Sequence, residues 1–552
     1  MSPTKNYKEE NHMSAKPRFA FRRTPIAQAL ALSLLGLGLG VSGPALALNW
    51  QIGDVGVDLN TRVSSGVEMR VQGADPTYIG IANGGKAYST NVDDGELAFR
   101  KAGDLVYATQ KVTSALTVSW KDFGIFTRAN YTYDPVLQNK TFFNTNNYGP
   151  GKEYGYDVAA AKERGVHDHI GSDGTILDLY AYGSTDVLGH SLSLKVGKQI
   201  VNWGESTLVL NGLNSLVSLD ANKARLPGAE ISEFAVPVPQ VFASINLTEN
   251  TSLEGFYQWK FEPTLPDAAG SFYPVPNQDF SALIGGNAGD ISFGRAPENS
   301  LPGTNCSATG GNNTVTPTTC VPYGGTIPRG ADRLPSGAGQ YGGAFRFTIP
   351  WLHEMEVALY AANYHERLPV YSSISASSGN ITSASASYFA EFPKDLHMFG
   401  FSFNTTLPGG IAWQGEYSYK ANQPLQLSSV EVELASLGAP SQLAGTPGQT
   451  LGNQYVRGWR RKPVSQLDFG FTKVLGGLTL EPTLRFDHDV RGITPEPLGN
   501  FVRNTRTVTP SLGWRYLSNL TGEVGYTTFF GGGQTNLLRD RDFVQTYVRY
   551  SF

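Results

Sequence analysis

The sequence predicts an all-β fold: a closed, antiparallel transmembrane β-barrel of about 16 strands in a cell outer membrane. Three features of the 552-residue chain carry this prediction. They are an alternating C-terminal segment that ends on an aromatic residue, an N-terminal secretory signal, and a regular succession of short turns and long loops. Together these features indicate both the compartment and the fold.

The C-terminal segment alternates between two kinds of side chain. One face carries Val544, Thr546, Val548, Tyr550 and Phe552. A terminal aromatic residue that closes a period-two strand is typical of the last strand of an outer-membrane barrel. We therefore interpret Tyr550 and Phe552 as an assembly signal for the barrel-assembly machinery, and we expect outer-membrane lipid around the barrel.

The N-terminus has the features of a cleavable secretory signal. A basic region that ends at Arg23 precedes an apolar stretch from Ile26 to Val41, and Ala45-Leu46-Ala47 forms a small-x-small cleavage pattern. This pattern assigns residues 1–47 to the signal peptide and residues 48–552 to the barrel. Because a barrel must reach its insertion machinery unfolded, general secretion is favoured over a twin-arginine route.

Composition agrees with one large barrel. Beyond the signal, no run of about 18 apolar residues could form a transmembrane helix. Residues 1–47 hold six of the 43 Lys and Arg and two of the 47 Asp and Glu, so the mature chain has a net charge of about −8. That charge argues against nucleic acid as a partner. The absence of a composition break indicates a single closed sheet.

Short turns alternate with longer polar connections along the chain. The turns fall at Lys121-Asp122, Leu188-Gly189, Glu249-Asn250, Pro350-Trp351, Pro408-Gly409, Gly476-Gly477 and Ser518-Asn519. The longer connections cover residues 73–102, 135–173, 200–238, 262–339, 365–395, 421–464, 491–503 and 531–541. Seven turns and eight loops give sixteen strands, with short turns in the periplasm and long loops outside the cell.

The predicted strands have one apolar and one polar face. In residues 253–262, Leu253 and Trp259 alternate with Glu254 and Lys260. An Arg or Lys on the lipid face costs about 2–4 kcal/mol at mid-membrane, so the charged face must line the lumen. The candidate lumen charges are Lys195, Lys260, Arg346, Arg485, Asp487 and Arg549.

The connection at 199–239 contains more Leu, Val and Trp than a solvated loop would. Buried apolar side chains on a nominal loop imply that it folds back onto the protein. One interpretation is a constriction or plug inside the barrel, with Trp203 and Glu205 facing the path and with Asn202 and Asp220 as further candidates. The alternative is a packed loop that braces the wall and contacts no solute, and both interpretations stay open.

The same region carries a resemblance to a known family. The matching strings are Lys195-Val196-Gly197-Lys198-Gln199, Asn202-Trp203-Gly204-Glu205-Ser206, Asn211-Gly212-Leu213-Asn214, Pro227-Gly228-Ala229-Glu230, Ser252-Leu253-Glu254-Gly255-Phe256-Tyr257, Asp93-Asp94-Gly95-Glu96, Lys101-Ala102-Gly103-Asp104 and Asp122-Phe123-Gly124. Over essentially the whole mature chain, the sequence resembles proteobacterial outer-membrane proteins known only as a domain of unknown function. This resemblance implies a porin-like barrel, often encoded beside a periplasmic lipoprotein-sorting-like protein and an RND-type exporter in bacteria that degrade or export hydrophobic compounds. It implies no catalytic residues.

The two cysteines, Cys306 and Cys320, lie in the longest loop. A disulfide is expected in an oxidising compartment, and closing a loop of about 15 residues contributes about 3 kcal/mol in the chain-entropy model. Metal ligation by these cysteines is disfavoured because no further Cys or His lies nearby. His167 and His169 flank one aspartate, which is a weak metal signal, so we predict neither a metal nor a cofactor.

The sequence therefore predicts a channel for small hydrophobic or amphipathic molecules, with a periplasmic protein as a partner and an inner-membrane exporter behind it. One alternative is a surface receptor or anchor with a sealed lumen. An outer-membrane hydrolase is less well supported, because no Gly-x-Ser-x-Gly motif occurs and the chain has only eight His. We accordingly predict that the protein is not an enzyme.

Overall fold

The computed structural model describes most of the chain from residue 48 onward. The described ranges are 48–88, 93–140, 152–153, 156–157, 165–205, 212–268, 270–273, 289–291, 325–327, 329–377, 386–437, 441–443, 452–473, 479–491, 502–516, 519–533 and 536–552. The predicted signal at 1–47 and the predicted disulfide between Cys306 and Cys320 lie outside these ranges, so both stay predictions.

Sixteen strands form the wall of a closed antiparallel barrel. They are β1 (Val55–Arg70), β2 (Leu105–Trp120), β3 (Phe123–Tyr133), β4 (Ser172–Val187), β5 (His190–Gln199), β6 (Val238–Thr248), β7 (Thr251–Gln258), β8 (Gln340–Ile349), β9 (Met355–Tyr364), β10 (Leu396–Leu407), β11 (Ile411–Gln426), β12 (Trp459–Lys473), β13 (Thr479–Arg491), β14 (Arg506–Tyr516), β15 (Leu520–Phe530) and β16 (Phe543–Ser551). β16 closes the sheet against β1, with Arg62 opposite Ser551 and Arg70 opposite Phe543. The predicted fold class and strand number are confirmed.

Two strands pair with successive parts of the same side of β1: a short N-terminal strand and β16. The strand Leu48–Ile52 pairs with β1 so that Leu48 lies opposite Leu59. β16 covers the rest of this edge, and the backbone N–H and C=O of Phe552 both bond to Thr61. The predicted last strand therefore pairs with the first barrel strand along most of its length.

The short turns join the strands in pairs. Lys121-Asp122 joins β2 to β3, and Leu188-Gly189 joins β4 to β5. Lys121 and Leu188 both have a φ of 53°, which is the left-handed backbone conformation that tight hairpin turns use. The predicted turn at Gly476-Gly477 lies outside the described residues.

Several short elements lie in the long connections. The helices are Pro76–Tyr78, Ile81–Asn83, Asp94–Ala98, Pro135–Gln138, His167–Gly171, Leu213–Leu216, Ala221–Ala224, Ile231–Phe234 and Ser429–Ser436. The short strands are Lys152–Glu153, Tyr156–Asp157, Ser218–Leu219, Ala235–Val236, Gly289–Ile291, Gly325–Ile327, Val370–Ile374, Ser387–Glu391 and Tyr455–Val456. Within the described ranges, none of the helices is long and apolar enough to cross a membrane.

Large apolar side chains project from the outer face of the barrel. Leu359, Phe399 and Leu484 are 50%, 52% and 49% exposed, and similar side chains project from the other strands. Such a continuous apolar surface is unfavourable in water and suits hydrocarbon, where a closed barrel also satisfies every backbone group. The outer face is therefore the membrane-facing surface of a transmembrane barrel.

The buried apolar residues lie inside and above the barrel instead of between two sheets. One cluster, around Phe272 and Phe99, joins the long connections to the outer ends of β2, β15 and β16. A second, around Trp203, lies against β7–β10. A third, around Tyr371 and Tyr388, belongs to the connections that follow β9 and β11. The long connections thus fold onto the barrel and supply its core.

Candidate functional site in the lumen

The connection between β5 and β6, residues 200–237, folds into the barrel and is called the lumen segment. Trp203 is only 1% exposed, and its ring centroid lies 5.1 Å from that of Phe256 and 5.3 Å from that of Tyr360. Its indole Nε1 donates to Glu254 Oε2 at 3.0 Å. The expectation that Trp203 faces the path is therefore wrong, because its side chain is buried between the lumen segment and the wall.

Small residues on β8–β10 make room for this contact. A Cβ on Gly342 would lie 2.9 Å from Cη2 of Trp203, and a Cβ on Gly400 would lie 2.5 Å from Cδ2 of Leu213. Ala358 on β9 is also buried in this cluster. Because these positions lack large side chains, the backbone of the lumen segment can approach the wall and bury its apolar residues there.

The carboxylate of Glu416 on β11 holds the same part of the lumen segment. Glu205 donates its backbone N–H to Glu416 Oε2 at 2.7 Å, and Leu213 donates its backbone N–H to Oε1 at 3.0 Å. Between them, Gly204 has a φ of +85° and its Cβ position lies 2.2 Å from Glu416 Oε2. Only glycine combines this conformation with this close approach.

The other end of the lumen segment contacts the opposite side of the barrel. Glu230 forms ion pairs with Arg62 on β1 and Arg549 on β16. Arg549 Nη2 also donates to the backbone oxygen of Gly228 at 2.7 Å. Arg549 therefore points toward the lumen, where its guanidinium group anchors the lumen segment.

Glu233 makes a second and more buried ion pair. Lys111 Nζ on β2 lies 2.6 Å from Glu233 Oε2, with side-chain exposures of 3% and 6%. Thr113 Oγ1 donates to Glu233 Oε1 at 2.9 Å. Burial by itself would raise the pKa of Glu233, but the charge of the Lys111 ammonium and the hydrogen bonds from Lys111, Thr113 and the Glu230 backbone together outweigh burial and hold that pKa below its usual value. The lumen segment therefore crosses from β7–β11 to β16, β1 and β2.

Asp220 lies in the middle of the lumen segment but has a structural role. It is 8% exposed, and its Oδ1 accepts from the backbone N–H of Asn222 at 3.1 Å, which caps the helix Ala221–Ala224. A buried cap of this kind satisfies helix-terminal donors. The expectation that Asp220 faces the path is therefore wrong.

The wall formed by β12–β15 lies between β11 and β16, two of the strands that carry these anchors. Among the described residues, the ion pairs of the lumen segment reach β1, β2, β4 and β16, and none reaches β12–β15. Within the membrane-spanning part of this wall, alternation places seven charged side chains toward the lumen: Asp468, Glu481, Arg485, Asp487, Asp489, Arg515 and Glu523. Arg460 and Lys462 lie on the same face of β12, near its start. Arg485 Nε lies 3.2 Å from Asp487 Oδ2. This wall is thus polar and carries more carboxylates than cations.

Glu205 is a titratable residue at the end of the lumen segment that contacts Glu416. Burial, together with the carboxylates of Glu356 and Glu416, raises its pKa to about 7 against the opposing effect of Arg346. Its Oε2 accepts from Asn404 Nδ2 at 3.4 Å. A group with this pKa changes charge close to neutral pH.

The remaining predicted lumen residues have different surroundings. Arg346 Nε lies 2.9 Å from Glu254 Oε1, and its Nη1 lies 3.0 Å from Glu356 Oε1. Lys195 Nζ lies over the rings of Tyr180 and Phe242, at 5.7 and 5.9 Å from their centroids. Both cations are therefore held by wall residues of the lumen.

The predictions for Lys260 and Asn202 have separate outcomes. β7 ends at Gln258, and Lys260 is exposed beyond it with Nζ 2.6 Å from Glu262 Oε1. The prediction that Lys260 lies on the strand wall is therefore wrong. Asn202 is exposed beside the buried Trp203, so of the two neighbours the asparagine is the one accessible to solvent.

Sequence reasoning missed the carboxylates that anchor the lumen segment. Glu416 alternates correctly for a lumen residue, but its two backbone donors come from residues more than 200 positions away. Glu230 and Glu233 form a capping box, a three-residue spacing that is visible in sequence. That spacing indicates a helix start, yet it does not identify the cations across the lumen.

Metal binding finds no support in the described part of the chain, where no group of three or more His, Cys, Asp or Glu could hold an ion. His167 lies in a helix at residues 167–171, and its Nε2 is 3.2 Å from the backbone oxygen of Lys140.

Comparison with known proteins gives one sequence match and several distant structural similarities. The profile described as "Protein of unknown function (DUF1302)" matches residues 28–473 and 467–552. No protein with a curated description matches the chain.

Three solved structures illustrate the structural similarity. A Salmonella typhi OmpF complex with daunomycin has 8% identity and a TM-score of 0.42, covering 92% of this chain and 100% of that chain. The outer membrane channel DcaP of Acinetobacter baumannii has 10% identity and a TM-score of 0.42, with the same coverage. Pseudomonas putida OprB at high pH has 8% identity and a TM-score of 0.38, covering 90% and 94%.

Proposed function

The chain belongs to the DUF1302 family of unknown function, and we propose that it is an outer-membrane channel for small molecules. One observation carries the proposal: the lumen segment anchors on two sides of the barrel and makes no ion pair, among the described residues, with the polar wall β12–β15. A 16-stranded barrel encloses more space than its side chains can fill. The solute path runs between the lumen segment and that wall.

The charged side chains of β12–β15 would select among solutes in this path. Glu481 and Glu523 add to the Asp residues of the wall, and Arg485 and Arg515 oppose them. Rings and rows of charged side chains govern which solutes enter a pore. The net negative wall would favour cationic or neutral solutes over anions.

The hydrophobic or amphipathic character of the solute is a proposal supported by the resemblance of the sequence to its family. Apolar residues of the lumen segment would contact the apolar part of such a molecule. Ile200, Leu219 and Ile231 are half-buried beside exposed Asn202 and line one small cavity. The charged wall opposite them would contact the polar part.

A periplasmic partner, with an inner-membrane exporter behind it, is the most specific part of the proposal. Leu188 and Trp351 lie at the tips of two short turns and are 95% and 83% exposed. Apolar side chains at such tips can bury area against a docked protein. Pull-down of the purified barrel with a periplasmic lipoprotein-sorting-like protein, the class of partner that the family resemblance implies, would test this part. Leu188→Ser/Trp351→Ser is the variant expected to lose binding.

Planar-bilayer recording tests the channel itself. The purified protein should show discrete conductance steps. Glu416→Ala should give larger or flickering steps, because the backbone N–H groups of Glu205 and Leu213 lose their acceptor. Thr348→Ala on β8 is the matched control, because Thr348 also faces the lumen but lies away from Glu416.

A silent bilayer for the wild type and for Glu416→Ala would contradict the channel, provided that both migrate as folded barrels in gels without heating. That result would favour the second candidate, a surface receptor or anchor with a sealed lumen. A specific observation supports this second candidate: the connections after β9 and β11 form their own buried cluster above the barrel, with Tyr371 stacked on Tyr388 at 5.0 Å.

A further inference from the structure

The outer face of β12 changes character along its length. Leu467 and Phe471 project outward among the membrane-facing residues of the strand. Because side chains alternate along a strand, Arg461 and Trp459 lie on the same outward face farther up. Arg457 follows at the next outward position, just before β12 begins. Above Leu467, the outward row thus passes through Ser465 and Pro463 and ends in two arginines on either side of a tryptophan.

The position of this change corresponds to the edge of the hydrocarbon. A membrane-spanning strand needs about 9–11 residues. Counted from Lys473, where β12 ends, that length reaches Ser465 to Pro463. Arg461 is the next outward residue, so its guanidinium group lies at the level of the outer-leaflet headgroups.

The three side chains form a fixed arrangement. The guanidinium carbons of Arg457 and Arg461 lie 5.0 and 5.5 Å from the ring centroid of Trp459. The ring is held because its Nε1 donates to Glu391 Oε1 at 2.7 Å. Arg461 is held because its Nη1 donates to the backbone oxygen of Asn422 at 3.1 Å. This group of Arg457, Trp459 and Arg461 is called the basic cluster.

The charge around the basic cluster is predominantly positive. Residues 457–462 contain four basic side chains and no acidic one, and two of the four, Arg457 and Arg461, lie on the outward face while Arg460 and Lys462 alternate inward. The exposed carboxylate of Asp395 is the acidic group near Arg461 on this side. Lys394 is exposed nearby, where its backbone oxygen accepts from Arg461 Nη2 at 2.5 Å. Of the adjacent carboxylates, Glu391 is already engaged by the donors of Ser372, Tyr455 and Trp459.

We propose that the basic cluster binds the phosphorylated headgroup of an outer-leaflet glycolipid. Guanidinium groups match phosphate with paired N–H donors. In Arg461, Nη1 and Nη2 each use one N–H on a backbone oxygen, and each nitrogen carries a second N–H that can bind a phosphate oxygen. Tryptophan is the side chain that suits the boundary between lipid tails and headgroups. The proposal rests on the outer-membrane location of the proposed function, and it is independent of conduction.

Lipid binding to the purified barrel in neutral detergent tests the proposal. The probes are bis-phosphorylated lipid A and its dephosphorylated form, with binding followed by native mass spectrometry. The wild type should prefer the phosphorylated form. Arg457→Gln/Arg461→Gln should weaken binding of the phosphorylated form roughly 30-fold, because two cations are lost and each one near an anionic surface contributes roughly a 5-fold factor to binding.

Arg100→Gln/Lys101→Gln is the matched control. Both residues are exposed cations outside the strands, away from the basic cluster, so this variant should bind lipid A as the wild type does. Trp459→Leu keeps the charge and should weaken binding less than the double arginine variant. Gel mobility without heating shows that each variant is folded.

Three results would overturn the proposal. They are equal binding of both lipid A forms, equal loss in the Arg100→Gln/Lys101→Gln control, and complete competition by millimolar inorganic phosphate, which would indicate a free-anion site instead of a headgroup site. Conductance of Arg457→Gln/Arg461→Gln should stay at the wild-type level. A barrel that binds lipid A without conducting would contradict the channel and leave the headgroup site intact.

Discussion

The two ends of the lumen segment are held by different physical interactions. The end at residues 200–217 buries Trp203 and Leu213 against small wall residues of β8–β10. The end at residues 227–234 places Glu230 and Glu233 on the cations of β1, β2 and β16. One inserted segment thus combines shape complementarity on one wall with charge complementarity on the other.

This contrast has a physical consequence. Apolar burial itself depends little on pH, so a pH response of the apolar end must come from a titratable group within it, such as Glu205. Ion pairs depend on protonation and on how deeply they are buried. We therefore expect the two ends to respond to different perturbations. Amide hydrogen exchange, read separately over 200–205 with 212–217 and over 227–234, measures each response.

Removing the buried indole should have the largest effect. Trp203→Ala deletes a side chain that is 1% exposed and contacts Phe256 and Tyr360. Loss of a buried aromatic residue costs about 3–5 kcal/mol, so protection of residues 212–217 should fall by more than 100-fold. Trp351→Ala, at an 83% exposed turn position, is the control. Equal loss of protection at both ends would contradict independent anchoring.

Breaking the buried ion pair should have the next largest effect, at the other end. Glu233→Ala leaves the Lys111 ammonium buried without its carboxylate, and such uncompensated charges cost about 3 kcal/mol or more. Exchange should increase over 227–234 and stay unchanged over 212–217. Lys111→Met/Glu233→Leu should restore much of the protection, because an apolar pair removes the unpaired charge. No recovery in this double variant would argue that volume matters more than charge at this site.

A pH change should act on the apolar end through Glu205. Its pKa in the docked segment is about 7, against an ordinary value of 4.5. A raised carboxyl pKa means that docking is favoured by the proton: the contribution is fully present below about pH 4.5 and is lost as pH rises through about 7. Exchange over 200–205 should therefore increase between these pH values, after correction for the intrinsic rate. Glu205→Gln should remove the dependence, and a profile unchanged by this substitution would assign it to another group.

The smallest effect is expected at the more exposed ion pair. Glu230 is 28% exposed and pairs with Arg62, which is 26% exposed, and with Arg549, which is 12% exposed. Partly exposed ion pairs contribute about 0.5 kcal/mol each. Glu230→Gln should therefore raise exchange over 227–234 by less than about 10-fold, and high salt should weaken the wild-type pair in the same direction. An effect as large as that of Glu233→Ala would show that the two carboxylates act as one network.

Much of the barrel could be predicted because strand alternation is a local property. Short turns such as Lys121-Asp122 and the outward row that includes Leu253 follow from residue types within ten positions. The inward fold of the lumen segment was also predictable, since its apolar content does not suit a solvated loop. The side chain orientation of Trp203 was not, because an indole between a segment and a wall has the same local sequence as one that faces a path.

The transmembrane barrel, its sixteen strands and the presence of an inserted connection could therefore be predicted from the sequence. Each follows from the alternation of side chains and from the lengths of local segments. The place where that connection docks is seen only in the tertiary structure. Its partners, Glu416 on β11 and Lys111 on β2, are brought together by barrel closure across more than 100 residues of chain. Contacts of that kind depend on the register of the whole sheet, which no local pattern specifies.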